Sequence, residues 1–140
     1  MLKVTCAVII QNGRILVTQH GENSDHPFLW EFPGGKMNEG ESPEVCIKRE
    51  IMEELAIEIE ILQKMVSVKH DYRFKKIELI PFLCSVRSGE IRLNEHHNFK
   101  WIGFDELENI PFSEADRIMI FSEKNRDILK EYPGKHMDNT

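Results

Sequence analysis

Three glutamates near the middle of the chain constrain its fold and chemistry more than any other feature. Ser42 and Pro43 suit the N-cap and the first position of a helix, and Glu50, Glu53 and Glu54 follow at positions i, i+3 and i+4. On a helix these carboxylates share one face, where like charges repel and lower helix stability. A divalent cation on that face would make the clustering favourable, because hard cations prefer carboxylate oxygens.

A solvated acidic face is the alternative, and it is the more common one for an isolated Glu-x-x-Glu-Glu sequence. The neighbouring residues reverse that balance. Glu41 lies in the preceding loop, Pro33-Gly34-Gly35 offers backbone that a ligand can approach closely, and Lys36 adds a positive charge for phosphate. Arg49 stands beside the cluster and could hold one glutamate in place. Together these residues predict a metal and phosphate site.

The segment from Gly35 to Ile57 resembles the Nudix box of a family of metal-dependent hydrolases. The chain matches the fixed positions of that box at Gly35, Glu41, Arg49, Glu50, Ile51, Glu53, Glu54 and Ile57. Ala56 departs from the box, because the family has glycine there. A left-handed backbone is often needed just past a helix, so alanine should cost about 1 kcal/mol of local strain without removing a ligand.

The resemblance extends to the MutT-like branch of the family and covers roughly Val4 to Leu129. It is carried by the run Trp30-Glu31-Phe32-Pro33-Gly34-Gly35-Lys36 and by the spacing from Gly89 to Trp101. Within that second stretch, Glu95 falls where the branch has an additional metal-binding glutamate. The resemblance implies the Nudix fold of the α/β (α+β) class, an α/β/α sandwich with a mixed β-sheet. We expect one domain over residues 1–132 and a polar, flexible tail over 133–140.

The same resemblance implies Mg²⁺ as cofactor, with Mn²⁺ as a substitute, and a role for each site residue. The implied metal site comprises Gly35, Glu50, Glu53, Glu54 and Glu95. Glu50 is the favoured general base and Glu95 the second candidate, because the base differs between branches. Arg49 would orient a glutamate, and Lys36 would neutralise phosphate charge. Water would then convert a nucleoside triphosphate to the monophosphate and pyrophosphate.

Substrate choice depends mainly on Asp116, which falls where the MutT-like branch has a base-reading Asn or Asp. A carboxylate only accepts hydrogen bonds, so it suits guanine or cytosine edges and disfavours uracil. The alternative is that Asp116 simply faces solvent. We predict substrate contacts at Lys36, Phe32, Glu31, Asp116 and Lys75. Phe32 is the best candidate for stacking on the base, and the alternative is that it belongs to the core. The expected substrate is an oxidised purine nucleotide such as 8-oxo-dGTP, or a cytosine nucleotide such as CTP.

Other interpretations of the sequence stay open. One is hydrolysis of a dinucleoside polyphosphate or nucleotide sugar, for which Tyr72 is loosely placed as a marker residue. A non-catalytic nucleotide-sensing domain is disfavoured, because all the glutamates of the box are present. The pair His96-His97 invites a metal interpretation, but without matching ligands nearby we favour an exposed loop.

Composition narrows the partners further. The net charge of −6 argues against binding polymeric nucleic acid but not a nucleotide. Three widely spaced cysteines without a CxxC pair indicate reduced thiols in a cytoplasmic protein, with Cys46 and Cys84 in the core. The apolar run from Val4 to Ile10 is too short to cross a membrane. With 140 residues, the chain fits one domain, and we expect a monomer or a homodimer.

Apolar patterning predicts the order strands, helix, strands, helix, and thus a mixed sheet with packed helices. Asn12-Gly13 is a strong hairpin turn sequence. Strands are predicted over residues 3–11 and 14–19, on either side of this turn, and over 28–32, 58–68, 72–86 and 99–104. Pro81 predicts a bulge or an edge position. A single helical turn is predicted at 105–107, and a final helix from Ser113 to about Lys130.

Overall fold

The computed structural model describes residues 1–24, 27–94, 96 and 98–138, with side chains omitted over 133–138. The strands are β1 (Leu2–Gln11), β2 (Arg14–Gln19), β3 (Trp30–Glu31), β4 (Gly34–Lys36), β5 (Glu58–Lys64), β6 (Val68–Tyr72), β7 (Lys75–Ser88) and β8 (Asn98–Gly103). The helices are α1 (Pro43–Leu55), a 3-10 helix (Phe104–Asn109), α2 (Glu114–Phe121) and α3 (Glu123–Asp138).

In the described part of the chain, eight strands form one mixed sheet with the central order β3-β2-β1-β7-β5. β1 and β7 run parallel, and the other pairs are antiparallel. β4 also pairs with β1, β6 with β7 and β8 with β2. The β1–β2 turn uses Asn12 and Gly13 with φ of 53° and 73°, the left-handed values that a two-residue hairpin requires. The predicted hairpin is therefore confirmed.

Alternating side chains of β1 enter two separate cores, which makes the sheet the middle layer of a sandwich. Val8 packs in the core that α2 and α3 cover. Ile9 packs in the core against α1, which contributes Ile47 and Ile51. Full burial of each such side chain contributes about 1.5–3 kcal/mol. The predicted mixed-sheet sandwich is confirmed.

Local chemistry sets both ends of α1. The Ser42 hydroxyl accepts a hydrogen bond from the Val45 backbone N–H at 3.2 Å, and Pro43 occupies the first turn. At the other end Ala56 adopts φ 59° and ψ 29°, and its N–H donates to the Met52 carbonyl at 3.0 Å. The left-handed backbone expected at Ala56 is thus confirmed.

Of the two positions predicted for Pro81, a bulge or a sheet edge, the edge is wrong, and a register shift in β5 lies opposite the nearby residues Leu83 and Cys84. Pro81 does not lie at a sheet edge, because β7 pairs with β1 on one side and with β5 and β6 on the other. On that second side β5 pairs as far as Phe82 and β6 begins at Leu79, so Pro81 lies at the break between them. Its missing N–H is tolerated there. The pattern also gives no sign of the short strand β4, because its glycines are typical of a turn.

The predicted last helix is two helices. Ser122 has an extended backbone between α2 and α3, and its hydroxyl accepts from the Asn125 N–H at 3.3 Å as a new N-cap. α3 continues to Asp138, past the expected end near Lys130, so residues 133–138 of the predicted tail have helical backbone. The last two residues of that tail lie outside the described residues. The predicted helical turn at 105–107 is confirmed within the 3-10 helix.

All three cysteines are buried and free, which confirms Cys46 and Cys84 as core thiols. Among the described residues, no helix has the length and apolar character needed to cross a membrane.

Ala56→Gly should stabilise the protein by about 1 kcal/mol, because glycine adopts a positive φ without the steric cost of a Cβ. The Ala56 side chain is exposed, so little packing is lost. Urea unfolding of both proteins would measure the change. Ala56→Val is the control, since a β-branched residue at this φ should lower stability. An unchanged midpoint in the glycine variant would contradict strain at this position.

Candidate active site

Arg49 is the centre of the acidic cluster. Its guanidinium binds both oxygens of Glu41, with Nε and one terminal nitrogen at 2.7 and 2.9 Å. The other terminal nitrogen donates to Glu50 at 3.0 Å and to Glu53 at 3.1 Å. The Lys36 carbonyl accepts a further bond at 3.2 Å. Arg49 therefore links the loop after β4 to two of the three clustered glutamates.

These hydrogen bonds shift the pKa values of both Glu41 and Arg49. Hydrogen bonds from Arg49 lower the pKa of Glu41 to about 2, and hydrogen bonding to Glu41 raises the pKa of Arg49. Glu41 is therefore ionised at neutral pH. It serves as a fixed counter-ion that orients the arginine, as a bidentate carboxylate–guanidinium pair does.

The Glu50 carboxyl group lies in the space beside Gly35. A Cβ on Gly35 would lie 2.4 Å from the Glu50 carboxyl carbon, so a side chain at position 35 would have to displace the end of the Glu50 side chain. Burial raises the pKa of Glu50, and the charges of Glu53 and Glu41 add to that, against the opposing effect of Arg49. A carboxylate with a raised pKa is better suited to accept a proton from water.

Glu54 lines a cavity of about 270 Å³ together with His20, Gly21, Ser24, Glu31 and His96, and Arg49 does not line it. The loop after β7 packs on the end of α1, where Arg92 N–H donates to the Leu55 carbonyl and Asn94 N–H to the Glu54 carbonyl at 2.9 and 3.1 Å. Glu95, the next residue, lies outside the described residues, so its role stays a prediction.

Glu31 lies between two imidazoles. His20 Nε2 is 3.0 Å from Glu31 Oε1, and His96 Nε2 is 2.7 Å from Oε2. Burial alone would raise the pKa of Glu31, but the two histidine hydrogen bonds lower it below its usual value. The expected exposed position of His96 is wrong, since its side chain is only 6% exposed. The sequence missed this contact because the two residues are 65 positions apart.

A second, larger cavity of about 570 Å³ lies between the sheet and α2. It is bounded by the apolar side chains of β1 and β7 and shares His20, Ser24 and Glu31 with the smaller cavity. Its lining includes six residues of the predicted site, namely Glu31, Phe32, Gly35, Lys36, Lys75 and Asp116. The sheet therefore brings all predicted substrate contacts to one cavity, with α1 behind Gly35.

Asp116 does not face solvent, so that alternative is wrong. The residue is 7% exposed, and its carboxylate accepts hydrogen bonds from the Phe32 N–H at 2.8 Å and the Ser113 hydroxyl at 3.1 Å. Burial, with a contribution from the charge of Glu31, raises its pKa to about 7. Each carboxylate oxygen has a second lone pair, and the residue lines the larger cavity.

Phe32 belongs to the core. The residue is 2% exposed, and its ring stacks on Phe112 with centroids 5.0 Å apart. The geometry gives no support to the predicted stacking of Phe32 on a base, which stays untested. Lys36 and Lys75, by contrast, are exposed residues on the cavity rim.

The donor set of α1 fits a hard divalent cation. Glu50, Glu53 and Glu54 offer carboxylate oxygens from one helix, and the Gly35 backbone packs directly against Glu50. Among the described residues, no three acidic, histidine or cysteine side chains already converge as a closed metal site. Two of the carboxylates instead accept hydrogen bonds from Arg49, and an open site of this kind leaves coordination positions for water and phosphate.

The family model for the NUDIX domain matches residues 1–122. A CTP pyrophosphohydrolase of Escherichia coli K12 is 32% identical over 116 residues, which cover 83% of this chain and 86% of the relative. An 8-oxo-dGTP diphosphatase of Buchnera aphidicola subsp. Schizaphis graminum is 34% identical over 109 residues, covering 78% and 82%.

Solved structures give the same similarity. The solution structure of the E. coli ORF135 protein aligns with a TM-score of 0.79 and 30% identity, covering 95% of this chain and 94% of that one. The crystal structure of a MutT NUDIX hydrolase from Burkholderia pseudomallei aligns with a TM-score of 0.75 and 28% identity, covering 85% and 95%.

Gly35→Ala should destabilise the protein by about 1 kcal/mol, the lower end of the overpacking range, because the new methyl displaces the end of the Glu50 side chain from its bond to Arg49. Thermal unfolding would measure the loss. The same change in a Glu50→Ala background should cost much less, since the overlapping group is gone. Equal losses in both backgrounds would contradict this steric explanation.

Asp116→Asn should reduce the dependence of stability on pH between about 4 and 7. The pKa of this carboxyl group is 3.8 for an unperturbed aspartate, as in the unfolded chain, but about 7 in the folded protein, so the folded state holds the extra proton in this window. The stabilisation that this proton gives the folded state is complete below pH 3.8, the unperturbed pKa. It is lost as pH rises toward about 7, the pKa in the folded protein. Urea unfolding across the window would show this decline in the wild type. The same slope in the asparagine variant would contradict it.

Proposed function

This chain belongs to the NUDIX family and is a Nudix hydrolase, and we propose that it is a Mg²⁺-dependent nucleoside triphosphate pyrophosphohydrolase. It takes a triphosphate and water to the monophosphate and pyrophosphate. The observation that carries this proposal is the Glu50 carboxyl group directly behind Gly35, which itself lines a cavity of about 570 Å³. That volume lies within the usual range for small-molecule sites.

Nudix hydrolases generally need a divalent metal, and we propose that this metal is Mg²⁺. Glu50, Glu53 and Glu54 would hold it with the Gly35 carbonyl, and Glu95 is a further candidate from the sequence alone. The metal, when bound, would neutralise phosphate charge and activate water. Mn²⁺ is the expected substitute, since it also accepts oxygen ligands.

We assign a separate role to each of the other side chains around the metal site. Glu50 has a raised pKa and would take the proton of the attacking water, with Glu95 as the second candidate base. Lys36 lies on the cavity rim and would neutralise a phosphate oxygen. Arg49 is fully engaged with three glutamates and the Lys36 carbonyl. It would therefore orient the carboxylates and not contact the substrate.

Asp116 supports the choice of nucleotide. Its carboxylate lines the larger cavity and, when ionised, accepts hydrogen bonds from N–H groups such as those of guanine or the cytosine amine. One relative is named a CTP pyrophosphohydrolase and another an 8-oxo-dGTP diphosphatase. We therefore propose an oxidised purine such as 8-oxo-dGTP, or a cytosine nucleotide, as substrate. A cytoplasmic, monomeric or homodimeric protein without affinity for polymeric nucleic acid remains the expectation.

A nucleotide panel with Mg²⁺ or Mn²⁺ tests the proposal by measuring pyrophosphate release. Above pH 7, where Asp116 is ionised, we expect turnover of 8-oxo-dGTP or CTP well above that of UTP and dTTP, because a carbonyl oxygen offers the carboxylate no donor. Preference for UTP or dTTP would contradict the role of Asp116. Nucleotide sugars and dinucleoside polyphosphates in the same panel test the alternative branch activities.

In this panel Glu53→Gln should lower turnover by at least about 100-fold, the scale on which loss of one charge-stabilising group slows an enzyme. Glu44→Gln is the matched control, because Glu44 is an exposed acid on the same helix outside the cluster. It should retain wild-type turnover. Undiminished hydrolysis by Glu53→Gln would remove the metal role assigned to α1.

A further inference from the structure

Both histidines act as hydrogen-bond donors in their contacts with Glu31. An ionised carboxylate can only accept hydrogen bonds, so both His20 and His96 donate an Nε2–H to it. The opposite ring nitrogen of His96, Nδ1, is buried and has no hydrogen-bond partner within the described part of the chain. The bond to Glu31 is therefore the polar contact that this buried imidazole makes.

This contact joins the two ends of the candidate site. On one side, residues 92–94 are bound to the last carbonyls of α1, including that of Glu54, and His96 follows two positions later. On the other side, Glu31 directly precedes Phe32, whose N–H binds Asp116. Glu54 of the carboxylate helix and His96 thus line the smaller cavity together, and Glu31 lines both cavities.

We propose that His96 is a positioning residue that fixes Glu31 where the two cavities meet, and thereby sets the register of the polyphosphate chain over the α1 carboxylates. The consequence for catalysis rests on the proposed function. With the nucleoside end and the carboxylate end held at a fixed separation, water reaches the phosphorus whose cleavage gives monophosphate and pyrophosphate. A looser Glu31 lets the chain shift by one phosphate, and water then gives diphosphate and inorganic phosphate.

The product ratio tests this directly, because it does not depend on how much of the enzyme is active. For His96→Ala and His96→Asn we expect a several-fold larger share of nucleoside diphosphate and phosphate, and kcat/KM lower by about tenfold, as small misplacements of substrate produce. His96→Gln should keep the wild-type ratio, because its amide nitrogen can replace Nε2–H. Asparagine is one carbon shorter and cannot.

His70→Gln is the matched control. His70 is another largely buried imidazole paired with a glutamate, Glu114, at 3.5 Å, and it lines neither cavity of the site. Its product ratio should equal that of the wild type. A wild-type ratio in His96→Ala would overturn the proposal, and so would an altered ratio in His96→Gln.

A double-mutant cycle measured by thermal unfolding separates this inference from the proposed function. Thermal unfolding of wild type, Glu31→Gln, His96→Ala and the double variant should show coupling, with His96→Ala lowering the midpoint less when Glu31 is already changed. Additive shifts would overturn the contact on which the inference depends. If the wild type hydrolysed no nucleotide but the coupling were present, the proposed function would fail and the contact would stand.

Discussion

The bonds of Arg49 to its neighbouring glutamates make the rest of the site possible. Three carboxylates at i, i+3 and i+4 repel one another on a bare helix. Arg49 lowers this repulsion by donating hydrogen bonds to Glu50 and Glu53, and both oxygens of Glu41 hold it in place. Its bond to the Lys36 carbonyl ties this cluster to β4. A helix with a net acidic face can therefore pack against the sheet while its carboxylates stay in place for a cation.

Helices cover both faces of the sheet, and for this reason the α1 carboxylates and Asp116 come to the candidate site from opposite faces. α1 packs on one face and brings the carboxylates, while α2 packs on the other and brings Asp116. Between them, β4 contributes two glycines to the edge of β1. Because Gly35 has no side chain, Glu50 lies directly behind the backbone that lines the larger cavity. The polyphosphate chemistry and the base recognition that we propose are thus separated by one strand.

Contacts between distant segments are harder to predict than local ones. Asp116 stands out in the sequence by its position in a motif, yet its bond to Phe32 joins residues 84 positions apart. The sequence places His96 in an exposed loop, because no neighbour along the chain offers it a partner. It leaves Phe32 open between stacking on a base and packing in the core, and its contact with Phe112 places the ring in the core. In each case the deciding partner lies in a distant segment of the chain.

The sequence by itself determined the features that depend on a few neighbouring residues. These are the serine cap and left-handed end of α1, the shared face of its glutamates, and the Asn12-Gly13 hairpin. Backbone conformation and helical spacing are local properties, so a short stretch of residues specifies them. Only the tertiary structure decided that Glu31 is held by two histidines and that Asp116 is buried with a raised pKa. Burial and long-range pairing arise when the sheet brings remote segments together, and no local pattern records which segments those are.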